Sequence, residues 1–194
     1  MDMERRKRVR KRIIGPDVGK EWKRICLGWI RTVVLLILAA YLLVTYVVQR
    51  VDVYGDSMSP VLDGKDVLLV EKLTPKIGTL ERFDMVVFRY QYRDNLYYIK
   101  RIVGLPGETV QIADGKVWIN GEALEDDFGV EPIEKGKRAE EPIVLGEDEY
   151  FVLGDNRNHS SDSRDSDIGN LKSQQIVGKA MIRIWPVKRI KVFP

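Results

Sequence analysis

A chain of 194 residues has room for one ordinary domain plus appendages. Its net charge of +3 is modest, but eleven Lys/Arg and only four acids fall within residues 1–31, leaving 21 basic and 25 acidic residues to the other 163. A single cysteine, Cys26, excludes an intrachain disulfide and a thiolate metal cluster, and a single histidine, His159, excludes a multi-histidine zinc site.

The basic stretch 1–31 is short enough to be an arm for nucleic acid, but the neighbouring segment favours a membrane. From Thr32 to Val48 seventeen residues carry no charge. As a helix they span about 25 Å, a little under the ~30 Å hydrocarbon layer. Ile25 to Ile30 extends the run, with Arg31 placed to snorkel, and Trp22, Trp29 and Tyr46 suit interfacial positions. A buried core helix would carry an apolar stripe, whereas this run is apolar all round. A removable signal peptide would end in a small-x-small site, whereas this run ends Tyr46-Val47-Val48-Gln49-Arg50. The expectation is an uncleaved transmembrane anchor over 32–48, with the basic segment 1–31 cytoplasmic and residues 49–194 extracytoplasmic.

Beyond residue 49 the pattern is β. Strands are predicted at Val51–Tyr54, Asp66–Glu71, Asp84–Tyr90, Asn95–Val103, Thr109–Ile112, Lys116–Ile119, Tyr150–Leu153 and Ile176–Trp185, rich in Val, Ile, Tyr and Phe between Gly, Pro, Asp and Asn clusters. Asp114-Gly115 and Asn120-Gly121 read as two-residue hairpin turns. Many short strands without a periodic helix predict a mainly β fold, an antiparallel barrel or sandwich. Residues 122–148, charged and poor in aromatics, read as an inserted excursion with at most one short hairpin.

Three stretches carry candidate chemistry. Ser57 lies in Tyr54-Gly55-Asp56-Ser57-Met58-Ser59-Pro60, where it is either an ordinary turn serine or a hydroxyl exposed for attack with its own N–H facing an oxyanion. A serine hydroxyl needs a base within hydrogen-bond reach. Lys100 shares one strand face with Tyr98 and Ile102. It is either an edge lysine reaching water or a desolvated amine neutral enough to be that base. The third stretch, Gly154 to Arg164, is either a solvated loop of turn formers or a rigid polar platform for the amine.

These stretches, in this order behind an amino-terminal anchor, resemble bacterial type I signal peptidase in its short, single-anchor, Gram-positive-type form. The resemblance rests on Gly55-Asp56-Ser57-Met58-Ser59-Pro60, Asp66-Val67-Leu68-Leu69-Val70, Phe83 to Phe88, Lys100 to Glu108, and Gly154-Asp155-Asn156-Arg157 through Ser160, Asp162, Ser163 and Arg164. It covers residues 51–185. It implies a serine endopeptidase that removes signal peptides after a small residue, with Ser57 as nucleophile and Lys100 as general base, through an acyl-enzyme and without a cofactor. It further implies that Ser160 hydrogen-bonds the lysine amine, that Asp155 pairs with Arg101 and Asp162 with Arg164, and that Met58 and Pro60 belong to the substrate-binding cleft. It implies apolar surface dipping into the bilayer, for which Trp185, Met58, Val61 and Leu62 are candidates, each of them equally readable as core. One position departs from the pattern: Gly55 stands where some members carry an oxyanion-binding hydroxyl.

The partners so implied are secretory pre-proteins and the lipid bilayer, with no nucleic acid and no obligate protein partner, and the place is the cell membrane. The self-cleaving SOS-repressor group also uses a Ser–Lys pair, but the anchor and the 154–164 loop disfavour it. A second form of the same enzyme carries histidine where Lys100 stands. The alternative of another class is a catalytically silent, membrane-tethered β-domain that binds extracytoplasmic partners.

Overall fold

The computed structural model describes residues 18–90, 96–129 and 131–193. Residues 1–17 of the basic segment, and Asn95 at the start of the predicted lysine strand, lie outside the described residues. The chain divides into two compact units at Val44 and Thr45.

The first unit contributes helix α1 (Val18–Leu42), which passes into a π-helical turn at Leu43–Val47. Straight-chain Leu and Ala favour the helix, and the hydroxyl of Thr32 is satisfied inside it by the carbonyl of Gly28 at 3.0 Å. Its large apolar side chains are exposed on all sides, and Gly19–Val47 is long and apolar enough to cross a membrane.

The second unit is antiparallel β. Its strands are β1 (Val48–Asp52), β2 (Val67–Glu71), β3 (Met85–Arg89), β4 (Tyr97–Gly104), β5 (Thr109–Ala113), β6 (Lys116–Ile119), β7 (Glu122–Ala123), β8 (Ile143–Val144), β9 (Glu149–Leu153), β10 (Leu171–Lys172), β11 (Ile176–Trp185) and β12 (Lys191–Val192). The larger sheet runs β1-β2-β11-β3-β4-β9-β10, with β12 also on β11, and the smaller runs β7-β6-β5-β8. Among the described residues the larger sheet ends at β1 and β10 without closing, so the fold is sandwich-like and not a closed barrel. The first strand starts earlier than its sequence suggests: Val48, the last residue of the apolar run, already pairs with Glu71.

Alternation distributes the core over both faces of the larger sheet. On β3, Met85 and Val87 join one cluster with Val51, Leu68 and Ile99, while Val86 and Phe88 join another with Ile102, Val152 and Ile176. Both predicted turns have two consecutive residues at positive φ (52° and 72° at Asp114-Gly115, 53° and 85° at Asn120-Gly121), which matches the twist of the strands they join. Segment 122–148 supplies β7, β8 and three core residues, Ile133, Ala139 and Leu145, packed with Val110 and Phe151.

Of the candidates for lipid contact, Met58 and Leu62 take the core reading. Met58 is 2% and Leu62 0% exposed, both in the first cluster, with Val61 partly buried against it. A hydrogen bond from the Leu62 N–H to the Met58 carbonyl coils this segment, and the coil turns its apolar residues into the core. Trp185, 55% exposed, is the candidate that stays on the surface.

Candidate active site

Ser57 sits on a loop pinched at its neck, where the Val53 N–H donates to the Asp66 carbonyl at 2.9 Å. The two arms touch at glycines: a Cβ on Gly64 would lie 3.1 Å from the Gly55 nitrogen, and Gly55 itself turns at φ 77°, a backbone that glycine adopts freely. The loop leaves Ser57 half-buried, and its N–H is used in no hydrogen bond among the described residues. That N–H is therefore available to a developing oxyanion.

Lys100 lies inside the larger sheet, opposite Val86 on β3, with its neighbours Arg101 and Ile102 paired to β9. It is 2% exposed. Its Nζ is 2.7 Å from Ser57 Oγ, donates to the Ile99 carbonyl at 3.1 Å, and lies 5.3 Å from the centre of the Tyr98 ring. Burial pushes its pKa down from 10.5 to about 8; the carboxylates of Asp162 and Asp155 oppose that fall, and the Arg164 guanidinium assists it. The amine is thus dry and within reach of neutrality at mildly alkaline pH.

The platform expected at 154–164 is present, and its ion pairs are buried. Arg101 grips Asp155 through two bonds of 2.8 and 2.7 Å, and Arg164 grips Asp162 through two of 2.8 and 2.9 Å. Buried guanidinium–carboxylate forks fix orientation as well as charge. Asp162 also accepts the Gly154 N–H at 3.1 Å. Gly154 lets the platform touch the serine loop, since a Cβ there would lie 2.5 Å from the Ser57 carbonyl oxygen.

Of the expected site residues, Ser160 makes no bond to the amine and Pro60 does not line the cavity of Ser57 and Lys100. Ser160 Oγ is buried and has no hydrogen-bond partner among the described residues, so the bond to the lysine amine is not formed; the oxygen packs against Gly154 instead. Pro60 is exposed beside Ser59 in a separate hollow of about 240 Å³ that also includes Asp155 to Arg157. Met58, by contrast, lines the same cavity as Ser57 and Lys100, a space of about 280 Å³ walled by Val51 to Tyr54, Tyr97 to Ile99, His159 and Ser161.

Other contributors carry no signal of their own in the sequence. The Asn156 N–H donates to the Ser57 carbonyl at 3.0 Å and its side-chain amide to the Asp56 carbonyl at 3.2 Å, which ties the platform to the turn carrying Ser57. Phe128 covers the Arg101 guanidinium, whose carbon lies 3.6 Å from the ring centre, and Asp126 pairs with buried Arg157. Asn156 is legible as part of the Gly154-Asp155-Asn156-Arg157 motif but with no role of its own, and nothing local marks Phe128. Among the described residues, no three His, Cys, Asp or Glu side chains converge as a metal site.

The family described as "Signal peptidase, peptidase S26" matches residues 26–185. A protein named signal peptidase I from Leptolyngbya laminosa is 37% identical over 168 residues, covering 83% of this chain and 80% of its own. Signal peptidase I P of Bacillus subtilis subsp. natto is 29% identical over 182 residues, covering 90% of this chain and 97% of its own. A crystal structure of a signal peptidase I from Enterococcus faecalis aligns at 32% identity over 52% of this chain and 96% of that one, with a TM-score of 0.43.

Proposed function

The chain belongs to the signal peptidase family, peptidase S26, and on that basis we propose that it is a membrane-anchored serine endopeptidase removing signal peptides from secretory pre-proteins with a Ser57–Lys100 dyad. The observation that carries the dyad is the 2.7 Å separation of Lys100 Nζ and Ser57 Oγ around an amine 2% exposed.

Neutral Lys100 takes the Ser57 proton as Oγ bonds to the carbonyl carbon of the small residue at the precursor's cleavage site. Charge then gathers on the carbonyl oxygen, towards which the Ser57 N–H donates. Gly55 offers no side-chain donor there. As the tetrahedral adduct collapses, the Lys100 ammonium returns its proton to the leaving nitrogen, the mature protein departs with a free amine, and the signal peptide stays as an ester on Ser57. Lys100, neutral again, draws a proton from water; hydroxide character at the ester carbon releases the signal peptide as a carboxylic acid and restores the serine. Arg101–Asp155 and Arg164–Asp162 hold the platform against which these transfers occur. No cofactor takes part.

The charge-free run from Thr32 to Val47 forms the anchor, the catalytic domain begins at Val48, where β1 starts, and the basic segment 1–31 is retained in the cytoplasm. Support comes from the exposed apolar side chains of α1 and the length of its run.

The test is incubation of detergent-solubilised protein with a pre-protein, reading the new amino terminus by mass spectrometry. Cleavage after a small residue by the parent, and none by folded Ser57→Ala or Lys100→Ala, is expected. Normal maturation by either variant refutes the dyad.

A further inference from the structure

After a register shift against β3 between Ile176 and Gly178, strand β11 settles with Gly178 and Ala180 on the face of the Val51–Leu68 cluster. Continued at a period of two, that alternation would send Arg183 outward with Lys179 and Met181. A register shift against β2 between Ala180 and Ile182 inserts one extra residue and reverses the parity, so Arg183 turns inward. A second shift comes at once, between Arg183 and Trp185. Two irregularities thus bracket one guanidinium and aim it at the base of the nucleophile loop.

Its bonds tie that region together. Nη1 donates to the Val61 carbonyl at 2.8 Å and to Asp66 Oδ2 at 2.9 Å, and Nε donates to the Arg189 carbonyl at 2.7 Å. Asp66 in turn accepts the Asp63 N–H at 3.1 Å, and its own carbonyl closes the loop neck against Val53. The arm that carries Ser57 is held by Asn156, and the opposite arm by Arg183. A buried ion pair contributes little to stability compared with apolar packing of the same volume. The gain from turning a guanidinium inward is fixed geometry.

We propose that Arg183 is a positioning residue for the peptidase reaction: through the Val61 carbonyl and Asp66 it fixes the loop that presents Ser57 Oγ to Lys100. This rests on Ser57 being the nucleophile. Displacement of a nucleophile by about 1 Å costs on the order of a hundredfold in rate. Arg183 touches neither the amine nor the substrate cavity, so its loss is read in kcat.

The test compares the parent with Arg183→Met, Arg183→Lys and Asp66→Asn in the full-length, detergent-solubilised protein. Each is assayed for kcat, KM and pH profile on one pre-protein, with Ser57→Ala alongside. Arg183→Met is expected to lower kcat about a hundredfold with KM within about threefold and the profile midpoint unmoved. Arg183→Lys, which retains a donor for Val61 or Asp66, is expected to recover about tenfold of that loss. Parent-like kcat in folded Arg183→Met, a loss confined to KM, or a moved profile midpoint overturns the proposal. If Arg183→Met does not fold, Arg183→Lys and Asp66→Asn decide: reduced kcat at unchanged KM supports it, and parent kcat in both overturns it. An active Ser57→Ala removes the nucleophile assignment itself, whereas an inactive one beside fully active Arg183 variants removes only the positioning role.

Discussion

Lys100 Nζ lies 2.7 Å from Ser57 Oγ across 43 residues of sequence, and the contact depends on two different structural devices. A strand hydrogen-bonded on both sides buries the amine, and a glycine-bounded loop brings the hydroxyl to it. Proton transfer needs that amine uncharged.

As the proposed general base, Lys100 is expected to set the pH profile. With its pKa at about 8, kcat/KM is expected to rise about tenfold per pH unit below that value and level off above it. Initial rates on a pre-protein between pH 6 and 10 check this. A flat profile removes Lys100 as the titrating base.

The same burial makes the site a stability burden. The folded pKa lies below the unfolded one, so between about 8 and 10.5 the unfolded chain holds more protons and stability rises with pH. Below about 8 the full penalty applies, on the order of 3 kcal/mol at about 1.36 per pKa unit. Lys100→Met is therefore expected to be inactive yet to melt higher than the parent at pH 7. The difference should shrink as pH is raised from 8 to 10.5, which thermal melts at several pH values test.

Asp155 acts on Arg101 and on the lysine together. Asp155→Asn leaves a buried guanidinium uncompensated, a change of about 3–5 kcal/mol. It also removes a carboxylate that holds the Lys100 pKa up. Denaturant unfolding should show the loss, and the activity profile of the folded fraction should move to lower pH. An upward move contradicts the electrostatic account.

Gly154→Ala places a methyl group 2.5 Å from the Ser57 carbonyl oxygen and 2.3 Å from Ser160 Oγ. The backbone oxygen must retreat, taking Ser57 with it, and kcat is expected to fall about a hundredfold. Ser160→Ala, which deletes a buried hydroxyl with no partner among the described residues, is expected to unfold within about 1 kcal/mol of the parent. Steady-state kinetics of the first and urea unfolding of the second are the measurements.

Much of the fold is legible in the sequence because its determinants are local. Runs of Val, Ile and Tyr mark β2, β3, β4 and β11, and Asp114-Gly115 and Asn120-Gly121 carry their turns in their own chemistry. Lys100 among apolar neighbours is a readable anomaly. The hidden features depend on partners far along the chain. The inward turn of Arg183 comes from a register shift set by β2, which no pattern within β11 announces. Met58 and Leu62 read equally as core or as lipid-facing, because the coil that turns them inward is a backbone hydrogen bond with no signal in their side chains. The charges of 122–148 mask its three apolar anchors, and the idle Ser160 hydroxyl comes from how the platform packs on Gly154.

Lys100 and Arg101 are consecutive on β4 and so leave the sheet on opposite faces, one towards the serine and one towards Asp155. A misfolded molecule with β4 shifted by a single position would offer the hydroxyl a guanidinium, which stays protonated at every physiological pH. Slipped the other way, β4 would offer Ile99, so a one-position error in either direction leaves Ser57 without a proton acceptor.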